Sequence, residues 1–252
     1  MTTEVEIVRE RLEIACEGDA IDAELCYPSE GEPDTAVLLL SPHPHLGGRM
    51  DNNVVRHLAA RAAESGCAVL RFDYRGVGES TLRITEGGGL YAHWEAMERE
   101  RRYETLLPDA RAAWGALGQA VGPLPRRVLL GYSLGAILAG MLAGQVDATH
   151  VAGVSPPVAK VGLEAFRRCA VPKLFVGGDD DFAFDRARFE AAFARLPEPR
   201  RFVALPGADH FFRQEEERVW QAIAGFVSGA DPWGAPASAN GIQTMSAGDR
   251  AS

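Results

Sequence analysis

The chain has 252 residues, 46% hydrophobic and 24% charged, with a formal net charge of −9. That is enough apolar material for a sizeable core, and the acidic balance argues against nucleic acid or an anionic membrane as partner. The cysteines, Cys16, Cys26, Cys67 and Cys169, are scattered without a CxxC pair, which speaks against a zinc ribbon or disulfide framework; no signal peptide or membrane-span run is apparent, so a cytoplasmic protein is expected.

In chain order, "EVEIVRERLEIAC" and "AIDAELCYP" alternate around the turn "EGDA" and predict an antiparallel hairpin. "TAVLLLS" is a continuous apolar run, as in a strand buried on both faces. A helical period from about Asn53 to Ser65 stops at Gly66, and "CAVLRFDY" reads as the next buried strand. After the loop "RGVGESTLRITEGGG", a helical stretch from about Tyr91 to Leu117 is expected to break near Pro108. Then strands "RRVLLGY", "HVAGVS", "KLFVGG" and "RFVALPG" alternate with helices "SLGAILAGMLAG", "GLEAFRRC", "DRARFEAAFARL" and "EEERVWQAIAGFV". Such alternation implies an α/β fold: a mostly parallel sheet with helices on both faces, made mixed by the opening hairpin. One domain over 1–228 is expected, with the small, polar, Pro/Gly-rich 229–252 a disordered tail.

"LLGYSLGA" places Ser133 between a buried strand and a helix within G-x-S-x-G, Gly131 to Gly135. That pattern suits a tight turn that lifts a hydroxyl above the sheet beside free helix N–H groups. A serine needs a base. Of the six histidines, His57 and His93 fall in predicted helices, His150 begins a strand at its far end, and His210 follows the last strand, at the C-terminal edge where a base must stand. The acid that orients the base is taken from "DDDF": Asp181 lies past the Gly pair, whereas Asp179 and Asp180 read as solvated, Asp185 as a weaker rival, and Asp209 as too close to His210 in sequence to face its ring. Nucleophile, acid and base thus run Ser133, Asp181, His210.

An acyl-transfer oxyanion needs two preorganised N–H donors. The first expected is Leu134. The second comes from "SPHPHLGG", where Pro42 and Pro44 cannot donate and His43 is favoured over His45. His43, His45 and Asp51 are also metal-ligand types, but no further ligand motif joins them and no metal is expected.

These blocks resemble the α/β-hydrolase superfamily, and more narrowly the small, lidless bacterial serine hydrolases with the signature "HPHPxxGGxMxN", then "RFNFRGVGxS" and "PGADHFF". Here they read "SPHPHLGGRMDN", "RFDYRGVGES" and "PGADHFF", and the similarity spans about residues 20 to 228. It implies an α/β-hydrolase fold and an esterase-like enzyme without cofactor, with Ser133, Asp181 and His210 at the family's catalytic positions. Ser41 departs from the family's first histidine, and 81–104 is longer than the usual connection. That segment reads either as a small flap, with Leu90, Tyr91, Trp94 and Met97 as its apolar face, or as a surface helix packing those residues into the core. Asp73 and Arg75 are expected to pair without a catalytic role. His45, Tyr132, Tyr91 and Trp94 are the candidate substrate contacts.

The expected activity is hydrolysis of carboxylic esters or thioesters with small to medium acyl groups, in a monomer or homodimer acting on a small-molecule acyl substrate. Acyl transfer or carbon–carbon cleavage on the same residues, and a non-catalytic ligand-binding scaffold, remain alternatives.

Overall fold

The structure, a computed structural model, describes residues 5–84 and 87–230 and the backbone strand 243–245. β1 (Ile7–Cys16) and β2 (Asp19–Pro28) form the hairpin, in register from Ile7 opposite Pro28 to Cys16 opposite Asp19. Its two turn residues, Glu17 and Gly18, both have positive φ (50° and 87°), the backbone twist that suits a two-residue hairpin. There follow β3 (Thr35–Leu40), α1 (Asn53–Glu64), β4 (Ala68–Phe72), α2 (Gly89–Glu100) and α3 (Leu107–Val121). β5 (Arg126–Tyr132) leads into α4 (Leu134–Ala143), then β6 (His150–Val154), β7 (Lys173–Gly178), α5 (Arg186–Phe193), β8 (Arg200–Leu205), α6 (Glu216–Ser228) and β9 (Gln243–Met245).

Among the described residues these strands make one sheet in the order β1-β2-β4-β3-β5-β6-β7-β8-β9, parallel from β4 to β8 and antiparallel at both ends. The inner strands alternate between two apolar layers, as the two-residue period of a strand requires. Ala36, Leu38 and Leu40 of β3 join the layer under α3 and α4, while Val37 and Leu39 join the layer under α1 and α6. The sheet is therefore covered on both faces, the α/β-hydrolase architecture expected. The chain turns to opposite sides of β3, to β4 and to β5, so the ends of β3 and β5 form the crevice where such sheets hold ligands.

The helical stretch from about Tyr91 to Leu117 is interrupted near Pro108 as expected, over residues 101–106, and the proline lies just after the break. α2 stops at Arg101 in the left-handed region (φ 54°), and Pro108 sits in the first turn of α3, where a missing N–H costs nothing. "GLEAFRRC" contracts to a single 3-10 turn, Glu164–Phe166. The expected tail lies outside the described residues except for Gly229, Ala230 and Gln243–Met245, and the last of these pair with β8. Among the described residues no helix is long and apolar enough to cross a membrane.

Candidate active site

Ser133 joins β5 to α4 with φ 55° and ψ −119°, a strained conformation for a residue with a Cβ. The glycines around it are dictated by contact. A Cβ on Gly131 would overlap the Gly135 carbonyl, and one on Gly135 would overlap the carbonyls of Leu40 and Ser41 at the end of β3. The turn is thus pressed against both its own helix and the neighbouring strand.

Ser133 Oγ lies 3.0 Å from His210 Nε2. On the far side of the ring, Nδ1 is 2.9 Å from each oxygen of Asp181. All three residues are buried, and the Asp181 side chain is wholly so. Asp181 Oδ1 also accepts the N–H groups of Ala183 (2.7 Å) and Phe184 (3.1 Å), and Oδ2 accepts the Ser155 hydroxyl. Burial pushes this carboxyl up, but the hydrogen bond and charge of His210, followed by the Ser155 and Ala183 donors, outweigh it and hold Asp181 below the usual carboxylate value.

The other acids named from sequence act elsewhere. Asp185 caps α5 through Arg188 N–H (3.0 Å), and Asp179 faces Arg186. Asp209 accepts the N–H groups of Phe211 (2.8 Å) and Phe212 (3.0 Å), so it shapes the loop that presents its neighbour His210.

The loop after β3 is stiffened as its prolines suggest. His43 is extended (ψ 126°), Pro44–Leu46 make one 3-10 turn, and a Cβ on Gly48 would strike the backbone of Pro42. His43 Nδ1 accepts the His45 N–H (3.1 Å), and Nε2 lies 2.9 Å from Glu98 Oε2 without hydrogen-bond alignment. Glu98, on α2, also pairs with Lys160 and accepts the Tyr103 hydroxyl (3.0 Å). Because Lys160 already answers the Glu98 charge, burial dominates at His43, and the imidazole is pushed down to about 4 by burial first, then by Lys160 and His45. Leu134 opens α4, where helical N–H groups lack intrahelical acceptors.

Of the candidate substrate contacts, His45 and Tyr91 pack together with ring centroids 4.9 Å apart, Tyr91 largely in solvent. Tyr132 is instead buried beneath the site. It is in phase with Val128 and Leu130, which point into the α1/α6 layer, and its hydroxyl donates to the His210 carbonyl at 2.5 Å. Trp94 is buried too, with Met97, in the layer that contains Tyr74 and Val77. The segment 81–104 therefore divides its apolar side chains: Trp94 and Met97 pack inward, whereas Leu90 and Tyr91 remain exposed. Residues 85 and 86 lie outside the described residues.

Asp73 and Arg75 do not pair. Arg75 Nε meets Asp109 Oδ1 at 2.7 Å, while Asp73 accepts Met50 N–H (2.6 Å) and Arg71 donates to Met50 C=O (2.5 Å). The two sequence blocks "GGRMDN" and "RFDYRGVG" are thus one structural joint, completed by Asn52 capping α1 through Val54 N–H (3.0 Å). Ser155 and Glu98 were not singled out from sequence. Ser155 ends "HVAGVS" at a strand terminus on the site's edge of the sheet, and that position was its available signal.

An uncharacterized protein of Rickettsia prowazekii is 28% identical over 211 residues, 80% of this chain and 82% of its own. Among solved structures, an alpha-beta serine hydrolase homologue from Coxiella burnetii is 27% identical with a TM-score of 0.70, over 83% of this chain and 93% of that one. A serine hydrolase without lid from Xanthomonas campestris, 22% identical, shares the fold with a TM-score of 0.70 over 90% and 95% of the two chains. The model of the alpha/beta hydrolase family matches residues 37–241, most of the sequence, and the chain belongs to that family.

Proposed function

We propose that the protein is a serine hydrolase of carboxylic esters, working through Ser133, His210 and Asp181. The reading is carried by one observation: a hydroxyl on a strained turn, 3.0 Å from an imidazole whose other nitrogen meets a buried carboxylate at 2.9 Å. In this mechanism Ser133 Oγ attacks the ester carbonyl while His210 Nε2 takes its proton. Asp181 holds the Nδ1–H tautomer and offsets the imidazolium charge. The oxyanion is received by the N–H groups of Leu134 and His43. His210 then protonates the departing alcohol, and water, deprotonated by the same imidazole, releases the acid from Ser133.

Burial of the site suits this chemistry because hydrogen bonds to developing charge are stronger away from water. His45 and Tyr91 form one wall of the acyl side. The similarity to a serine hydrolase homologue at 27% identity supports the class, and the substrate is left to the local chemistry.

The test is covalent labelling with a fluorophosphonate, read by peptide mass. Labelling at Ser133, abolished in His210→Ala, is expected. Folded protein that does not label sinks the proposal. Nitrophenyl esters of rising acyl length then measure the acyl pocket.

A further inference from the structure

Large apolar side chains left in water around a reactive centre point to what a substrate brings with it. Among the described residues those exposed are Val5, Leu46, Leu90, Tyr91, Phe182 and Phe211. All but Val5 belong to segments beside the site: the loop after β3, the start of α2, and the positions directly following Asp181 and His210. Phe182 is 73% exposed and Phe211 48%.

Their backbones are well held. Phe211 N–H donates to Asp209, and its carbonyl accepts Asn53 Nδ2 at 2.9 Å. Phe182 is bracketed by Asp181 and by Ala183, whose N–H is fixed on Asp181 Oδ1. The Phe182 ring centroid is 5.1 Å from the His210 imidazole and 6.0 Å from Phe211, and Phe211 is 5.9 Å from the imidazole. The Arg213 guanidinium lies 5.5 Å from the Phe211 centroid. The two phenyl rings and the imidazole are therefore one aromatic group, open to solvent at the phenyl end.

The chemistry assigns that group a direction. When the acyl C–O bond breaks, the departing oxygen takes the His210 proton, so it must lie within hydrogen-bond reach of Nε2. The carbonyl oxygen points instead to the Leu134 side. Whatever is attached to the departing oxygen leaves on the imidazole side, and the exposed rings beside that imidazole, at 5.1 and 5.9 Å, are Phe182 and Phe211. We infer that Phe182 and Phe211 form the leaving-group subsite, and that it takes esters of apolar alcohols. This rests on the serine-hydrolase reading and adds to it the class of the alcohol portion.

Hexyl acetate and ethyl acetate share an acyl group and have alcohols of similar acidity, so the ratio of their kcat/KM values reads the alcohol side alone. Hexyl acetate is expected to be preferred by about tenfold, the low end of what a single methylene is worth in an enclosed pocket, because these rings are open to solvent. In the Phe182→Ala/Phe211→Ala variant that ratio should fall towards one, while the ratio of ethyl hexanoate to ethyl acetate, which reads the acyl side, moves little. Both side chains are exposed, so truncation creates no core cavity, and either single variant should lower the ratio part way. A ratio near one in the unaltered protein overturns the subsite, as does a preference that survives the double variant. Failure to turn over any of these esters, with Ser133 inert to fluorophosphonate, overturns the hydrolase reading and the subsite with it.

Discussion

Ser155→Ala should separate the holding of Asp181 from its charge. Ser155 is fully buried and its hydroxyl donates to Oδ2, whereas Oδ1 keeps two backbone donors and both oxygens keep His210. A hydrogen bond to a charged group contributes about 1.5–3 kcal/mol, so the variant should lose about 2 kcal/mol of stability at pH 7. Asp181 starts below the usual carboxylate value, and losing one donor raises its proton affinity yet leaves it ionised at pH 7. On the proposed mechanism kcat at pH 7 should therefore fall by less than about tenfold, against about 10⁴-fold for Asp181→Asn, which removes the charge and favours the wrong imidazole tautomer. The sign of the pH effect follows from the lowered folded value: the stability it contributes is present above the unfolded value near 3.9 and is lost as the pH falls through the folded one. The gap between the two proteins, read from urea midpoints by circular dichroism, should be level from pH 7 to 5 and narrow only as the pH falls through the lowered folded value of Asp181. No gap at pH 7, or a Ser155→Ala protein as inactive as Asp181→Asn, would refute this account of the carboxylate.

Tyr132→Phe removes the donor to the His210 carbonyl and should cost about 1 kcal/mol in urea unfolding, with kcat on a nitrophenyl ester reduced more than KM is changed. Gly135→Ala puts a methyl into the Leu40 and Ser41 carbonyls, so soluble expression and thermal midpoint should both drop sharply, whereas Gly144→Ala, with open space around it, should not do so. Neutral His43 gives a separate acid sensitivity. Its folded value is lowered to about 4, so the unfolded chain takes up a proton first, and stability is complete above about pH 6.5 and declines towards pH 4. That contributes about 2 kcal/mol of loss between pH 7 and 5, which His43→Gln should remove from the urea-midpoint profile.

What could be read from the sequence was what local sterics and periodicity force. "TAVLLLS" and "RRVLLGY" are apolar throughout because helices cover both faces of their strands, and Gly131 and Gly135 bracket Ser133 because a Cβ at either would overlap backbone. The burial of Tyr132, named from sequence as a substrate contact, was encoded there too. This tyrosine shares its two-residue phase with Val128 and Leu130, and that phase points into the α1/α6 layer beneath the site. Trp94 is harder, because Leu90, Tyr91, Trp94 and Met97 all lie on the apolar side of one helix, and only the loop packed beneath it decides which of them are buried. Arg75 is harder still. Its carboxylate partner, Asp109, is 34 residues away, and the nearer Asp73 is taken by the Met50 amide.

Ser155 shows why this limit falls on side-chain pairing across strands. Its hydroxyl meets Asp181 because β6 lies beside β7 in parallel register, Val154 opposite Val176, and the chain leaves both strands on the same edge; Ser155 N–H even continues that register by donating to Val176 at 2.7 Å. Nothing in "GVSPP" alone encodes that neighbour. Strand order encodes it, and strand order is a property of the whole sheet. The same order that carries Ser133 and His210 together thus supplies a further donor to the Asp181 carboxylate. Altering Ser155 should therefore disturb the proposed chemistry through the carboxylate, without a contact to the reacting atoms.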